Sequence, residues 1–121
     1  MTMLRAIRGA TTVTADRADL ITQATQELVS LMLERNNVEI DDLVSLIFTS
    51  TPDLHSGFPA TAARALGLSE VPLLGATEAD VDGALARCIR VMLHCYSDLP
   101  RKDVRHVYLE GARALRSDLV D

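Results

Sequence analysis

One late stretch, Cys88-Ile89-Arg90-Val91-Met92-Leu93-His94-Cys95-Tyr96, limits the fold more than any other part of the chain. Apolar residues at 89, 91, 93 and 95 alternate with 90, 92, 94 and 96, and this period of two predicts a half-buried strand. A helical alternative places Leu85, Ile89, Met92 and Tyr96 on one face. On a strand, Arg90 leaves the apolar set and points to the opposite face. A guanidinium is planar, forked and permanently charged, so on a rigid element it suits a partner with oxygens in fixed places. A lone strand arginine is more often a solvated surface group. Its neighbours must decide.

The other elements follow from local signals. Residues 3–8 read as a short first strand ending at Gly9, with Thr11, Thr12 and Thr14 in a loop. From Asp16, a capping candidate, to Arg35, the residues Leu20, Ile21, Ala24, Leu28, Leu31 and Met32 recur at three and four and predict a long amphipathic helix. Asn36-Asn37 suits a left-handed end to it. Leu43 to Thr49 is almost continuously apolar, as expected of a central strand covered on both faces. Residues 50–59 are dense in turn formers, and Pro59 opens a short alanine-rich helix that stops at Gly67. Val71 to Leu74 reads as a third strand broken by Gly75. The acidic segment from Glu78 to Gly83 predicts a turn or short helix, and Ser97 to Pro100 a further turn. Arg105 to Glu110 alternates as a last strand, and the tail beyond Leu115 is polar and expected to be mobile. The order β-α-β-α-β-β-β predicts an α/β (α+β-like) fold: a single domain over 1–121 with a mixed five-stranded sheet, one long helix and one short one. Two helices are too few to cover five strands on both sides, so an oligomer is expected.

Charge and composition narrow the function. The formal net charge of −5 argues against a broad nucleic-acid surface, which needs a basic face. No apolar run reaches the roughly 18 residues that span a bilayer, and no signal-peptide pattern opens the chain. Cys88 and Cys95 stand about 23 Å apart on a strand or about 10 Å apart on a helix, too far for a disulfide. Two reduced cysteines point to the cytoplasm.

Most familiar chemistry lacks its residues. Glu78-x-Asp80-x-Asp82-Gly83 resembles the start of a calcium loop, but the twelfth position is Ile89 instead of a bidentate glutamate. Asp80 and Asp82 are read instead as caps of the following turn. Asp53 and His55 with His94 or His106 match no recognised metal-ligand spacing, so no metal and no cofactor is expected. The cysteines lack a neighbouring cationic cluster and read as core. Nucleophile elbows, phosphate loops and dinucleotide fingerprints are absent. What remains is a set of donors at element ends or on strands, Arg8, Arg64, Arg90 and Tyr108, opposed by the acceptor Glu78. Such a set suits a rigid dicarboxylate that carries a hydroxyl.

Four segments then carry a resemblance: Ile7-Arg8-Gly9-Ala10-Thr11-Thr12; Thr51-Pro52-Asp53-Leu54-His55 with Phe58-Pro59-Ala60; Cys88-Ile89-Arg90-Val91-Met92; and Arg105-His106-Val107-Tyr108-Leu109-Glu110. In order and spacing, from about residue 3 to about 119, the chain resembles the monofunctional chorismate mutases of the α/β class. The resemblance implies a homotrimeric pseudo-α/β-barrel with active sites between subunits. It also implies the rearrangement of chorismate to prephenate on the route to phenylalanine and tyrosine, without cofactor. It makes Arg90 the cation at the breaking ether oxygen, Arg8 a carboxylate grip, Glu78 the acceptor for the ring hydroxyl and Tyr108 a further contact. Phe58 and Leu115 become apolar walls and Arg64 a basic group at the mouth, with Ala60, Leu74 and Gly75 lining the same cleft. Two departures stand out: Gly75 where the family often has cysteine, and Thr61 where it often has lysine. They leave open a catalytically silent trimeric small-molecule-binding protein of the same fold, or a purely structural interaction domain.

Overall fold

The computed structural model describes residues 2–116. The chain forms β1 (Met3–Thr12), α1 (Ala18–Arg35), β2 (Leu43–Ser50), α2 (Pro59–Ala65), β3 (Leu73–Thr77), β4 (Cys88–Ser97) and β5 (Val107–Tyr108). Short 3₁₀ turns lie at Ile40–Asp42, Arg101–Asp103 and Glu110–Ala114. The strands make one mixed sheet in the order β3-β2-β4-β1-β5. The expected class, with one long and one short helix, is therefore the one formed.

The alternating stretch is the centre of the sheet. β4 pairs antiparallel with β1 from Met3↔Ser97 to Thr12↔Cys88, and with β2 from Leu43↔Cys95 to Ser50↔Ile89. The outer pairs, β2 with β3 and β1 with β5, are parallel. Odd positions of β4 join one core: Val91, Leu93 and Cys95 pack with Ile7, Leu46, Phe48 and Val107 against Leu28, Val29 and Met32 of α1. Ile89 seals one end with Val13, Ile21 and Leu54. Gly9 belongs to this contact, since a Cβ there would lie 2.4 Å from the buried Met32 sulfur. Cys88 and Cys95 are buried and free, and desolvation raises both thiols above their ordinary pKa, which keeps them protonated and inert.

Several local expectations shift. β1 runs on through Gly9 to Thr12 because β4 supplies pairing partners along its whole length, so Thr11 and Thr12 are strand residues. β3 starts at Leu73 and passes through Gly75, carried by its parallel ladder with β2. The last strand shrinks to Val107–Tyr108, both buried. Of the turn or short helix expected from Glu78 to Gly83, the turn is the one formed, closed by the Ala84 N–H on the Val81 carbonyl at 3.1 Å. α1 begins at Ala18 after Arg17, which has no side-chain cap bond, and the Asp16 carboxylate instead accepts backbone N–H bonds from His55 and Ser56 at 2.9 and 3.0 Å. Those bonds lower the Asp16 pKa against a desolvation effect that raises it and is the largest single influence. Asn37 does take a positive φ of 53°, and Pro59 sits at the start of α2 as read. The tail expectation lies largely outside the described residues.

β2 is the main correction. It is covered on one face only: Leu46 and Phe48 are fully buried, whereas Ile47 is 37% exposed. Ile47 stands across from Met92 on β4 and Leu74 on β3, and Leu74 is 63% exposed. Leu4 and Tyr96, paired at the far end of the sheet, are also open to solvent. The side of the sheet away from the helices is thus an apolar surface left uncovered by this chain.

Candidate active site

Arg90 sits on that uncovered side, at an even position of β4, between Ala10 of β1 and Thr49 of β2. β3 ends one residue before Glu78, whose backbone N–H bonds to the Ser50 carbonyl at 2.9 Å and fixes where the acid turns back over the sheet. The Glu78 carboxylate receives a hydrogen bond from the Thr49 hydroxyl at Oε2 and faces Arg90 Nε with the same oxygen at 3.7 Å. Among the described residues, both of these side-chain contacts of Glu78 are made through Oε2. The Arg90 side chain is 48% exposed and that of Glu78 26%. An arginine braced by a carboxylate at the edge of water has a set position yet keeps most of its fork for a ligand.

Behind this pair the chain is tied down firmly. The Cys88 N–H donates to the Thr51 hydroxyl oxygen at 3.0 Å, and the Cys88 carbonyl accepts the Thr51 N–H. Asp53 accepts the Arg87 N–H at 2.9 Å, and the Thr51 hydroxyl donates to it at 2.5 Å; this hydroxyl bond is the main reason its pKa falls below the usual carboxylate value. The loop that enters β4 is therefore locked to the loop that leaves β2, which holds the start of the Arg90 strand still. Sequence reading gave Thr49 and Thr51 no role; a hydroxyl on the strand beside an arginine carries no linear signal.

Tyr108 joins the same end of the sheet from β5, paired with Ala10 and packed with Ala112, Leu85 and Leu115. Arg8 lies two residues back on β1, paired with Met92, and its backbone N–H donates to His106 Nδ1 at 2.9 Å. Arg90, Arg8, Tyr108 and Leu115 are thus carried by β4, β1, β5 and the turn after β5, and Glu78 reaches Arg90 from the end of β3.

The other expected residues gather elsewhere. Phe58, Ala60, Arg64, Leu74 and Gly75 line one cavity of about 410 Å³ between the start of α2 and β3. Neither Arg90 nor Glu78, Arg8 or Tyr108 belongs to its wall. Phe58 is 78% exposed, an unusual setting for one of only two phenylalanines in the chain. A Cβ at Gly75 would touch nothing within 4 Å, so this departure leaves open space beside the cavity and no backbone demand explains it. The ten expected residues fall into two separate groups on the one chain. Among the described residues, no group of three or more His, Cys, Asp and Glu gathers as a metal cage.

An open mixed sheet thus carries both helices on one face and a braced arginine–glutamate pair on the other, the frame of a small α/β protein. The family model described as chorismate mutase type I matches residues 4–119, and the chain belongs to that family. It is 51% identical over 118 residues to the chorismate mutase AroH of Thermus thermophilus, with 97% of each chain covered. It is 46% identical to the chorismate mutase AroH of Bacillus subtilis (strain 168), covering 97% of this chain and 93% of that one. A solved chorismate mutase from Clostridium thermocellum superimposes with a TM-score of 0.89 at 50% identity, over 91% of this chain and 98% of that one. The activity of the family is an isomerisation, and nothing in these comparisons favours the catalytically silent alternative.

Proposed function

We propose that this chain rearranges chorismate to prephenate, feeding aromatic amino-acid synthesis, at a site centred on Arg90 and completed by a neighbouring copy. The reaction is pericyclic: the ether carbon–oxygen bond lengthens as a carbon–carbon bond forms, with no nucleophile and no proton transfer. The departing oxygen gains negative charge on the way. A cation fixed beside it stabilises the transition state more than the bound substrate. Arg90 supplies the cation, and Glu78, held by Thr49, keeps it in place and accepts the ring hydroxyl. Arg8 and Tyr108 grip the substrate in its compact, reactive shape, and Leu115 walls it.

The carrying observation is the Arg90–Glu78 pair, 3.7 Å apart and open to the uncovered sheet face. The second half-site, with Phe58, Arg64, Ala60, Leu74 and Gly75, supports closure by another subunit, because an exposed phenyl ring and a basic cleft mouth have nothing to enclose within one chain. A homotrimer with its sheets facing inward, a pseudo-barrel, buries both the apolar face and the ring. Two free, buried thiols suit a reducing, cytoplasmic setting. Among the described residues no helix is long and apolar enough to cross a membrane.

Loss of chorismate absorbance on adding the protein tests the activity, with the Arg90→Lys variant beside it. The lysine keeps the charge and loses the fork, so kcat falls by about 10²–10³. An unchanged kcat removes Arg90 from the mechanism.

A further inference from the structure

The β1–β5 ladder is only two residue pairs long, Gly9↔Val107 and Ala10↔Tyr108. It is continued at one end by the Leu109 N–H on the Ala10 carbonyl and at the other by a side chain, with His106 Nδ1 accepting the Arg8 N–H. The imidazole stands where a strand would offer a carbonyl. This bond joins the residue that grips a carboxylate to the segment that carries Tyr108, and it exists only while Nδ1 holds a lone pair. We propose that neutral His106 is a positioning residue for substrate binding, and that its protonation releases Arg8 from β5 and weakens the grip on chorismate.

The surroundings favour the neutral ring. Arg8, Arg5 and Arg101 with His94 line the cavity on one side of it, and Arg35, Lys102, Arg105 and the single acid Asp103 line the cavity on the other. Arg116 adds its charge from the turn after the Glu110–Ala114 segment. Desolvation, and then the Arg8 and Arg116 charges, hold the His106 pKa below the ordinary histidine value. The proton therefore arrives only in mild acid, and it brings a like charge beside Arg8 as it removes the acceptor.

The inference rests on the chorismate reading only for its kinetic arm, so the test has two arms. In the kinetic arm, wild-type KM rises as pH falls below the ordinary histidine range while kcat changes less. His106→Asn places an uncharged oxygen near the Nδ1 position; it keeps the neutral-pH KM and loses the acid rise. His106→Leu raises KM at neutral pH roughly three- to tenfold, the size of one lost hydrogen bond. The inference is overturned if His106→Asn shows the wild-type acid rise, which would then belong to another group, or if the leucine variant keeps the wild-type KM. The second arm needs no substrate: by NMR on the wild-type protein, the Arg8 amide shifts with the His106 ring along one titration curve. An Arg8 amide that ignores that titration also overturns the proposal, even where turnover stands. Absence of turnover would instead sink the functional reading and leave this arm to decide.

Discussion

A hydroxyl shows how much of the site is invisible in a linear reading. Thr49 donates to the Glu78 oxygen that also faces Arg90, so it sets the direction of the other oxygen. Hydrogen bonds to a charged acceptor contribute about 1.5–3 kcal/mol, so Thr49→Val lowers kcat/KM by roughly ten- to a hundredfold. Thr49→Ser keeps the donor and restores most of that. Steady-state kinetics on the two variants checks the assignment, and equal losses in both would mean that the methyl group, not the hydroxyl, matters. The face that Arg90 takes was legible, because alternation set it, whereas its role came only with the resemblance. Its brace was not legible, since Thr49 and Glu78 lie 29 positions apart and meet only through the β2–β3 pairing.

At the level of elements, periodicity found β4, α1 and α2 with little error, because each carries an apolar stripe and its own stop signal. It cut β1 at Gly9 and β3 at Gly75, where local preference ran against strand and the pairing partner decided otherwise. Asn36 illustrates the tie between elements. It is buried at the end of α1, donates to the Met32 and Arg105 carbonyls at 2.8 Å each and accepts the Arg105 N–H at 2.7 Å. One side chain thus closes the helix and aligns the segment that carries His106 and Tyr108. Replacing it with leucine removes all three bonds from a buried position, costing about 2–4 kcal/mol in urea unfolding at fixed protein concentration. A midpoint equal to that of the wild type would place the alignment elsewhere.

For the whole molecule, the pattern of cover matters more than any single contact. The apolar run of β2 suggested burial on both faces; one chain provides one. The missing layer is supplied by other copies in the proposed trimer, which no reading of a single chain's periodicity contains. Sedimentation at micromolar concentration should give three times the 13.2 kDa chain mass. Ile47→Asp puts a charge on the uncovered face without touching the helix-side core, so it yields folded monomers with little or no turnover. A variant that stays trimeric and active would show that this face is not the interface.

The strand order has a consequence for how the chain is made. β1 and β2 never touch as neighbours; each meets only β4 on its inner edge, and β4 is assembled from residues 88–97. During synthesis β1 must wait unpartnered, and β2 with only β3 beside it, until the ribosome has released most of the polypeptide. A fragment ending at residue 86 therefore lacks the strand that joins its two parts and stays protease-sensitive, with no cooperative melting transition. Adding the remaining residues in trans would let both waiting edges zip onto the late arrival at once.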